Sequence, residues 1–204
     1  MTSPTVPDDL LAIDPAARAL LFTEARTANT FSDESVDDAT LRAVWDLAQW
    51  PPTAANTNPL RVLFVRTPEG RERLLPLMAE GNGPKVGAAP VTAVLAADSR
   101  FHDHMPTLFP MREGMKESLE DEERREPMWR FNSALQAGYF LLAARSAGLV
   151  TGPMAGFDKD GVDAEFFGGT SWRSILVVNL GHPGDDAWFD RLPRHDPENV
   201  LRFA

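Results

Sequence analysis

The chain has 204 residues, 43% of them hydrophobic and 25% charged, and contains no cysteine. These proportions suit one globular domain, and the absence of thiols excludes disulfide scaffolds, thiolate metal sites and cysteine nucleophiles. Thirty acidic residues against twenty basic ones leave a formal charge of −10, a field that repels nucleic-acid backbones and anionic lipid.

Residues 1–14 read as a loose, acidic, Pro-punctuated arm without the basic and apolar regions of a secretory signal. Asp14-Pro15 then marks the N-cap and first turn of a helix running to about Ala25. A second helix follows Asp37 or Asp38, with Leu41, Val44, Trp45 and Ala48 on one face; Pro51-Pro52 ends it. Thr53 to Pro59 is a polar loop. Val62–Val65 is a buried strand, Pro68–Glu80 a helix, Gly81–Gly87 a loop around Lys85, and Val91–Ala97 a second buried strand. Residues 101–127 are an excursion from the alternation of strands and helices, with aromatics, Met and prolines first and then the mixed-charge segment 117–126, which reads as a solvated helix. Trp129–Ala147 is the longest helix, closed by Gly148. Gly152–Asp158 is a loop, Lys159–Phe166 a short helix and Ser174–Leu180 a third strand. The remainder is extended and Pro-rich. The class is therefore α+β, a single domain over 1–204 with the sheet covered by helices on both faces. The uncharged stretch Phe131–Ala144 is too short and too polar to cross a bilayer. The chain reads as soluble and cytoplasmic.

Several motifs are missing. No G-x-G-x-x-G follows a strand, and there is neither a P-loop nor a G-x-S-x-G elbow. Asp98, His102, Asp103 and His104 offer nitrogen and oxygen ligands but no metal-ligand spacing, so they read as surface polar residues and no metal is expected.

What remains is a set of polar clusters at the ends of elements, where sites are usually built. Arg26, Thr27 and Asn29 follow the first helix; a guanidinium there suits a phosphate or simply faces the helix end. Thr53, Ala54 and Asn56 lie between fixed prolines. Asn82 and Lys85 stand three apart and suit the carbonyls of a heteroaromatic ring. Pro153, Met154, Ala155 and Gly156 belong to a segment with two glycines, Gly152 and Gly156, that let backbone approach a flat ligand. Arg191 and Arg194 add two cations near the end of the chain. Arginines grouped in so acidic a protein suggest a bound dianion such as a phosphate monoester.

In order and spacing, the segments FTEARTANTF, PTAANTNP, GNGPKVGAAPVTAVLAADS, LFP, TGPMAGFD and RLPR resemble the FMN-dependent nitroreductase family, closest to its malonic semialdehyde reductase branch of pyrimidine degradation. The resemblance runs from about Leu20 to Pro193. It implies a homodimer with two FMN sites at the subunit interface, no nucleic-acid or membrane partner, and NADH or NADPH as hydride donor. Arg26, Thr27 and Asn29 would serve phosphate and ribityl, and Thr53, Ala54 and Asn56 would reach the flavin from the partner subunit. Asn82 and Lys85 would sit at the pyrimidine edge, and Pro153, Met154, Ala155 and Gly156 would face N5 and O4. Arg191 would bind the phosphate. The chain departs from the family in having Ala155 where many members carry Glu, and Phe189 where a second cation is usual, which shifts weight to Arg194. Ping-pong hydride transfer through flavin N5 needs no side-chain acid or base, so no catalytic residue is assigned; Lys85 would stabilise charge on the reduced ring. The acceptor implied is malonic semialdehyde, reduced to 3-hydroxypropionate, or a nitroaromatic or quinone, with Phe109, Met111, Trp129, Phe131 and Phe157 as pocket candidates or plain core. A non-redox flavin-binding or flavin-modifying module would carry the same loops, and a metal hydrolase on His102 and His104 is the remaining alternative.

Overall fold

The structure, a computed structural model, describes residues 12–204; the expected N-terminal arm lies, up to residue 11, outside the described residues. Four strands form one antiparallel sheet in the order β1-β2-β4-β3: β1 Leu60–Val65, β2 Val91–Asp98, β3 Val150–Met154 and β4 Trp172–Gly181. The two central strands are apolar on both faces. Every residue of β2 is buried, because helices cover the sheet from each side.

On one face, α2 (Asp38–Ala48) and α7 (Glu122–Ser146) pack Leu41, Val44, Ala48, Ala137, Phe140 and Ala144 against Val91, Ala93 and Leu95. The alternate positions, Val94 and Ala96, face α3 (Pro68–Leu74), α4 (Gly83–Ala88) and α8 (Lys159–Phe167) through Leu74, Val86, Val162 and Phe167. The period-2 alternation of a strand thus supplies two cores at once. A third core, Phe101, Met105, Met115, Leu119 and Trp129, closes the end of β2. It is built from the 101–121 excursion, with α5 (Met105–Leu108) and α6 (Met115–Ser118).

Start and stop signals sit where the residues dictate. Asp14 caps α1 (Pro15–Arg18) through the Ala17 amide, and the helix continues as a π turn over Ala19–Thr23. Asp37 caps α2 through Thr40. Gly148, at φ 80°, closes α7, with the Gly148 and Leu149 amides returning to the Arg145 and Ala144 carbonyls, as a left-handed cap requires.

Four expectations need correction. The helix from Pro68 stops at Leu77, not Glu80, because Pro76 has no amide to donate and Met78 turns extended to bridge Phe157. Gly81–Gly87 is not all loop: Pro84 in the first turn starts α4 at Gly83. The segment 117–126 is not one solvated helix, since it breaks between α6 and α7. Arg125 within it is only 6% exposed and donates to the Ser99, Leu119 and Glu120 carbonyls at 2.7, 2.8 and 2.7 Å. Finally, Gly152–Asp158 is not all loop, because Val150–Met154 forms strand β3. Pro153 is tolerated because β3 lies at the edge of the sheet. A short α9, Pro197–Val200, interrupts the extended tail. No helix among the described residues is long and apolar enough to cross a membrane.

Candidate functional site

The segment after the first helix is laid along the sheet edge. Thr27 bridges Thr151 in parallel, and the Ala28 amide donates to the Thr151 carbonyl at 2.9 Å. On its other side the Asn29 amide donates to the Ala187 carbonyl at 3.0 Å, which brings in the tail. Gly152 makes this close approach possible: a Cβ there would stand 2.8 Å from the Ala28 carbonyl oxygen. The tail then returns beside Arg26. Arg26 Nη1 donates to the Phe189 carbonyl at 3.3 Å, and Arg191 Nη2 to the Thr23 carbonyl at 2.6 Å. Among the described residues, neither guanidinium has a carboxylate partner. Arg194 is turned elsewhere, onto the carbonyls of its own neighbours Leu192 and Pro193.

The same group extends to α4. Lys85 Nζ donates to Asn29 Oδ1 at 2.9 Å. Asn82, at the N-cap of α4, donates from Nδ2 to the Gly156 carbonyl at 2.9 Å. The Ala79 amide donates to that same carbonyl at 3.1 Å, and the Asp158 amide to the Leu77 carbonyl at 2.7 Å. A Cβ on Gly156 would meet Asn82 Nδ2 at 2.9 Å. At both glycines the absent side chain also leaves room for a protein segment to come close, the Ala28 carbonyl at Gly152 and the Asn82 side chain at Gly156. Of the neighbouring candidates, Pro153 is half-buried, Met154 belongs to the core, and Ala155 is exposed. Arg26, Thr27, Asn29, Asn82, Lys85, Gly156 and Arg191, from four remote stretches of sequence, make one polar, locally cationic group.

Thr53, Ala54 and Asn56 are not joined to that group. Among the described residues, no hydrogen bond connects the two. Their loop forms a short 3₁₀ turn, Ala54–Asn56, with Ala55, Asn56 and Asn58 in the left-handed region at φ 50°, 55° and 42°. It rests on α7: Asn132 Oδ1 accepts from the Ala54 amide at 2.8 Å, and Gln136 Oε1 from the Leu60 amide at 2.9 Å. Asn56 Nδ2 reaches the Leu108 carbonyl of the excursion at 2.8 Å. Asn132 and Gln136 hold this loop, a role that the clusters at element ends do not reveal. Their signal is two carboxamides, i and i+4, inside the uncharged stretch Phe131–Ala144 of α7.

The aromatic candidates divide. Trp129 is core, 5% exposed, and Phe109 and Phe157 pack against core clusters. Met111 and Phe131 stand 80% and 68% exposed. Two supposed surface polar residues are buried: Asp98 and His102. Asp98 takes hydrogen bonds from Arg61, Ser171 and the Arg100 amide at 2.7, 2.6 and 3.0 Å. His102, Asp103 and Glu120 lie close enough to share a cation. However, both Asp103 oxygens already bond Arg100, and one also bonds Lys116. Those two donors hold the Asp103 carboxyl down to about 2, and their positive charge opposes a metal ion there.

Comparison with known proteins shows the family. The Nitroreductase family model matches residues 23–182. A Streptomyces coelicolor protein named "Putative NADH dehydrogenase/NAD(P)H nitroreductase" is 57% identical over 98% of this chain and 100% of its own length. A relative of the same name from Leptothrix cholodnii is 54% identical over 91% and 94%. A solved Exiguobacterium sibiricum structure, described as a "putative nitroreductase in complex with FMN", superposes with a TM-score of 0.82 at 17% identity, covering 95% of this chain and 98% of that one. The match over residues 23–182 and the relatives more than half identical along nearly the whole length establish that this chain belongs to the nitroreductase family.

Proposed function

We propose that the chain is a homodimeric flavin oxidoreductase that binds FMN and uses NADH or NADPH to reduce small-molecule acceptors. The observation that carries this reading is the convergence of Arg26, Arg191, Asn29 and Lys85 in a chain of net charge −10. The donor set fits FMN. Two guanidiniums without carboxylate partners suit a phosphate dianion, and an ammonium oriented by a carboxamide suits the electron-rich edge of a heteroaromatic ring. FMN, when bound, supplies the redox chemistry, taking a hydride from NAD(P)H and returning it to an acceptor. The residues of the chain bind and orient. Arg26 and Arg191 hold the phosphate. Asn29 fixes the Lys85 ammonium, which offsets negative charge at the ring. Asn82 pins the 155–157 backbone against α4.

Thr53, Ala54 and Asn56 would complete the site from the second subunit. Their separation from the Arg26 group supports this, as do large exposed apolar side chains close in sequence to the loop and to its contacts: Trp50 at 75%, Met111 at 80% and Phe131 at 68%. A contiguous apolar patch marks an interaction site, and these three side chains would form one if they lie side by side. Within the family the reading leans to reduction of an aldehyde such as malonic semialdehyde. In that reaction the carbonyl carbon gains hydride, the oxygen gains a proton, and NAD(P)H becomes NAD(P)+.

The deciding measurement is the visible spectrum of the purified protein supplied with FMN, before and after anaerobic NADH or NADPH. A bound flavin band that bleaches supports the proposal. A band that stays makes the chain a non-redox flavin binder, and no flavin uptake at all overturns the reading.

A further inference from the structure

We propose that Asn132 and Gln136 are positioning residues, holding the 53–58 loop in the conformation that presents Thr53, Ala54 and Asn56 to FMN. The assignment rests on the flavin reading above. Both carboxamides are buried on one face of α7, at 2% and 1% exposure. A buried amide is costly unless its hydrogen bonds are made. Each spends its acceptor on a backbone amide at one end of the loop: Asn132 on Ala54 at 2.8 Å, Gln136 on Leu60 at 2.9 Å. Their donors are used as well, on the Met128 carbonyl at 2.8 Å and on Asn58 Oδ1 at 3.4 Å.

The anchors bracket the only run of left-handed non-glycine residues among those described, Ala55, Asn56 and Asn58. Asparagine tolerates that region, but alanine gains nothing there and pays in steric repulsion. Such a conformation persists only where the surroundings over-determine it. An ordinary turn would join α2 to β1 without strain. The strained form instead leaves Ala54 and Asn56 exposed, with Thr53 half-buried behind them. The Thr53 hydroxyl accepts from the Asn58 amide at 3.2 Å, and Asn58 Nδ2 donates to the Asn56 carbonyl at 2.9 Å, so the loop is cross-linked within itself between its two anchors.

The test uses the full chain loaded with FMN, comparing wild type with Asn132→Leu, Gln136→Leu and the double variant Asn132→Leu/Ala55→Gly. The readouts are the FMN dissociation constant from flavin fluorescence, visible-region circular dichroism of the bound flavin, and kcat and KM with NADH and a quinone. Each single leucine variant is expected to weaken FMN about tenfold and to change the flavin dichroism. Glycine at position 55 adopts positive φ freely, so the double variant is expected to recover most of that affinity, a rescue that mere loss of helix stability would not show. If Asn132→Leu does not fold, Gln136→Leu combined with Ala55→Gly carries the same comparison. Variants that bind FMN as wild type does, with unchanged dichroism, overturn the assignment, as does a leucine variant that Ala55→Gly cannot rescue. A wild-type chain that takes up no FMN overturns the flavin reading itself, and this assignment with it.

Discussion

The group around Arg26 and the loop 53–58 reach order by opposite routes. The first joins four remote stretches through mutual hydrogen bonds, with backbone kept relaxed by glycines at the points of closest approach. The second is one contiguous loop, strained at Ala55 and held from beneath by two buried carboxamides. The first is stabilised by its own cross-links, whereas the second depends on the helix under it. On the reading proposed above, the first is a half-site closed within one chain, which its own parts can cross-link. The second would be a half-site offered outward to a partner, with few neighbours of its own and therefore in need of a rigid platform.

This contrast can be broken in order of expected effect. In the role proposed for it, Lys85 would offset charge at the ring, so Lys85→Ala is expected to slow flavin reduction by NADH about a hundredfold in stopped flow while weakening FMN much less; equal losses would refute the electrostatic role. Arg26→Ala and Arg191→Ala are each expected to raise the FMN dissociation constant roughly ten- to a hundredfold by fluorescence titration, the worth of a charge-assisted hydrogen bond. Arg194→Ala should leave it near wild type, because that guanidinium serves its own backbone. Gly152→Ala would drive a Cβ against the Ala28 carbonyl and is expected to cost about 1–3 kcal/mol in denaturant unfolding. It should also loosen FMN through displacement of Arg26 and Asn29; an unchanged affinity would show that the segment is not held by that contact.

The smallest effect concerns neither half-site. Asp103, bonded by Arg100 and Lys116, has its pKa lowered from 3.8 to about 2. A depressed carboxyl adds stability above its unfolded pKa and loses it as pH falls through the folded one. The contribution is therefore present near neutrality and disappears between about pH 4 and pH 2. For so exposed a pair it is at most about 1 kcal/mol. Asp103→Asn should be slightly less stable than wild type at pH 6 and should converge with it near pH 2 in thermal melts; a constant offset would show that the ion pair does not contribute.

Much of this was legible in order along the chain. Asp14, Asp37 and Gly148 mark helix ends through short-range hydrogen bonds that depend on few neighbours. The central strands stood out as continuous apolar runs because both faces are buried. β3 was missed because Val150–Met154 contains a glycine and a proline that only an edge position tolerates. The burial of Arg125 and His102 was missed because long polar side chains read as solvated until their neighbours are known. Asn132 and Gln136 were visible as polar residues within the uncharged stretch Phe131–Ala144, but nothing local says what they hold.

The sequence by itself determined most helices, the central strands, several caps and the polar residue types that suit a phosphate and a heteroaromatic ring, since these follow from contacts within a few residues. Only the tertiary structure decided that Arg191 rather than Arg194 returns to Arg26, that Lys85 is aimed by Asn29, and that the 53–58 loop stands apart on α7. Each of those depends on segments far apart in the chain, brought together by burying both faces of one sheet.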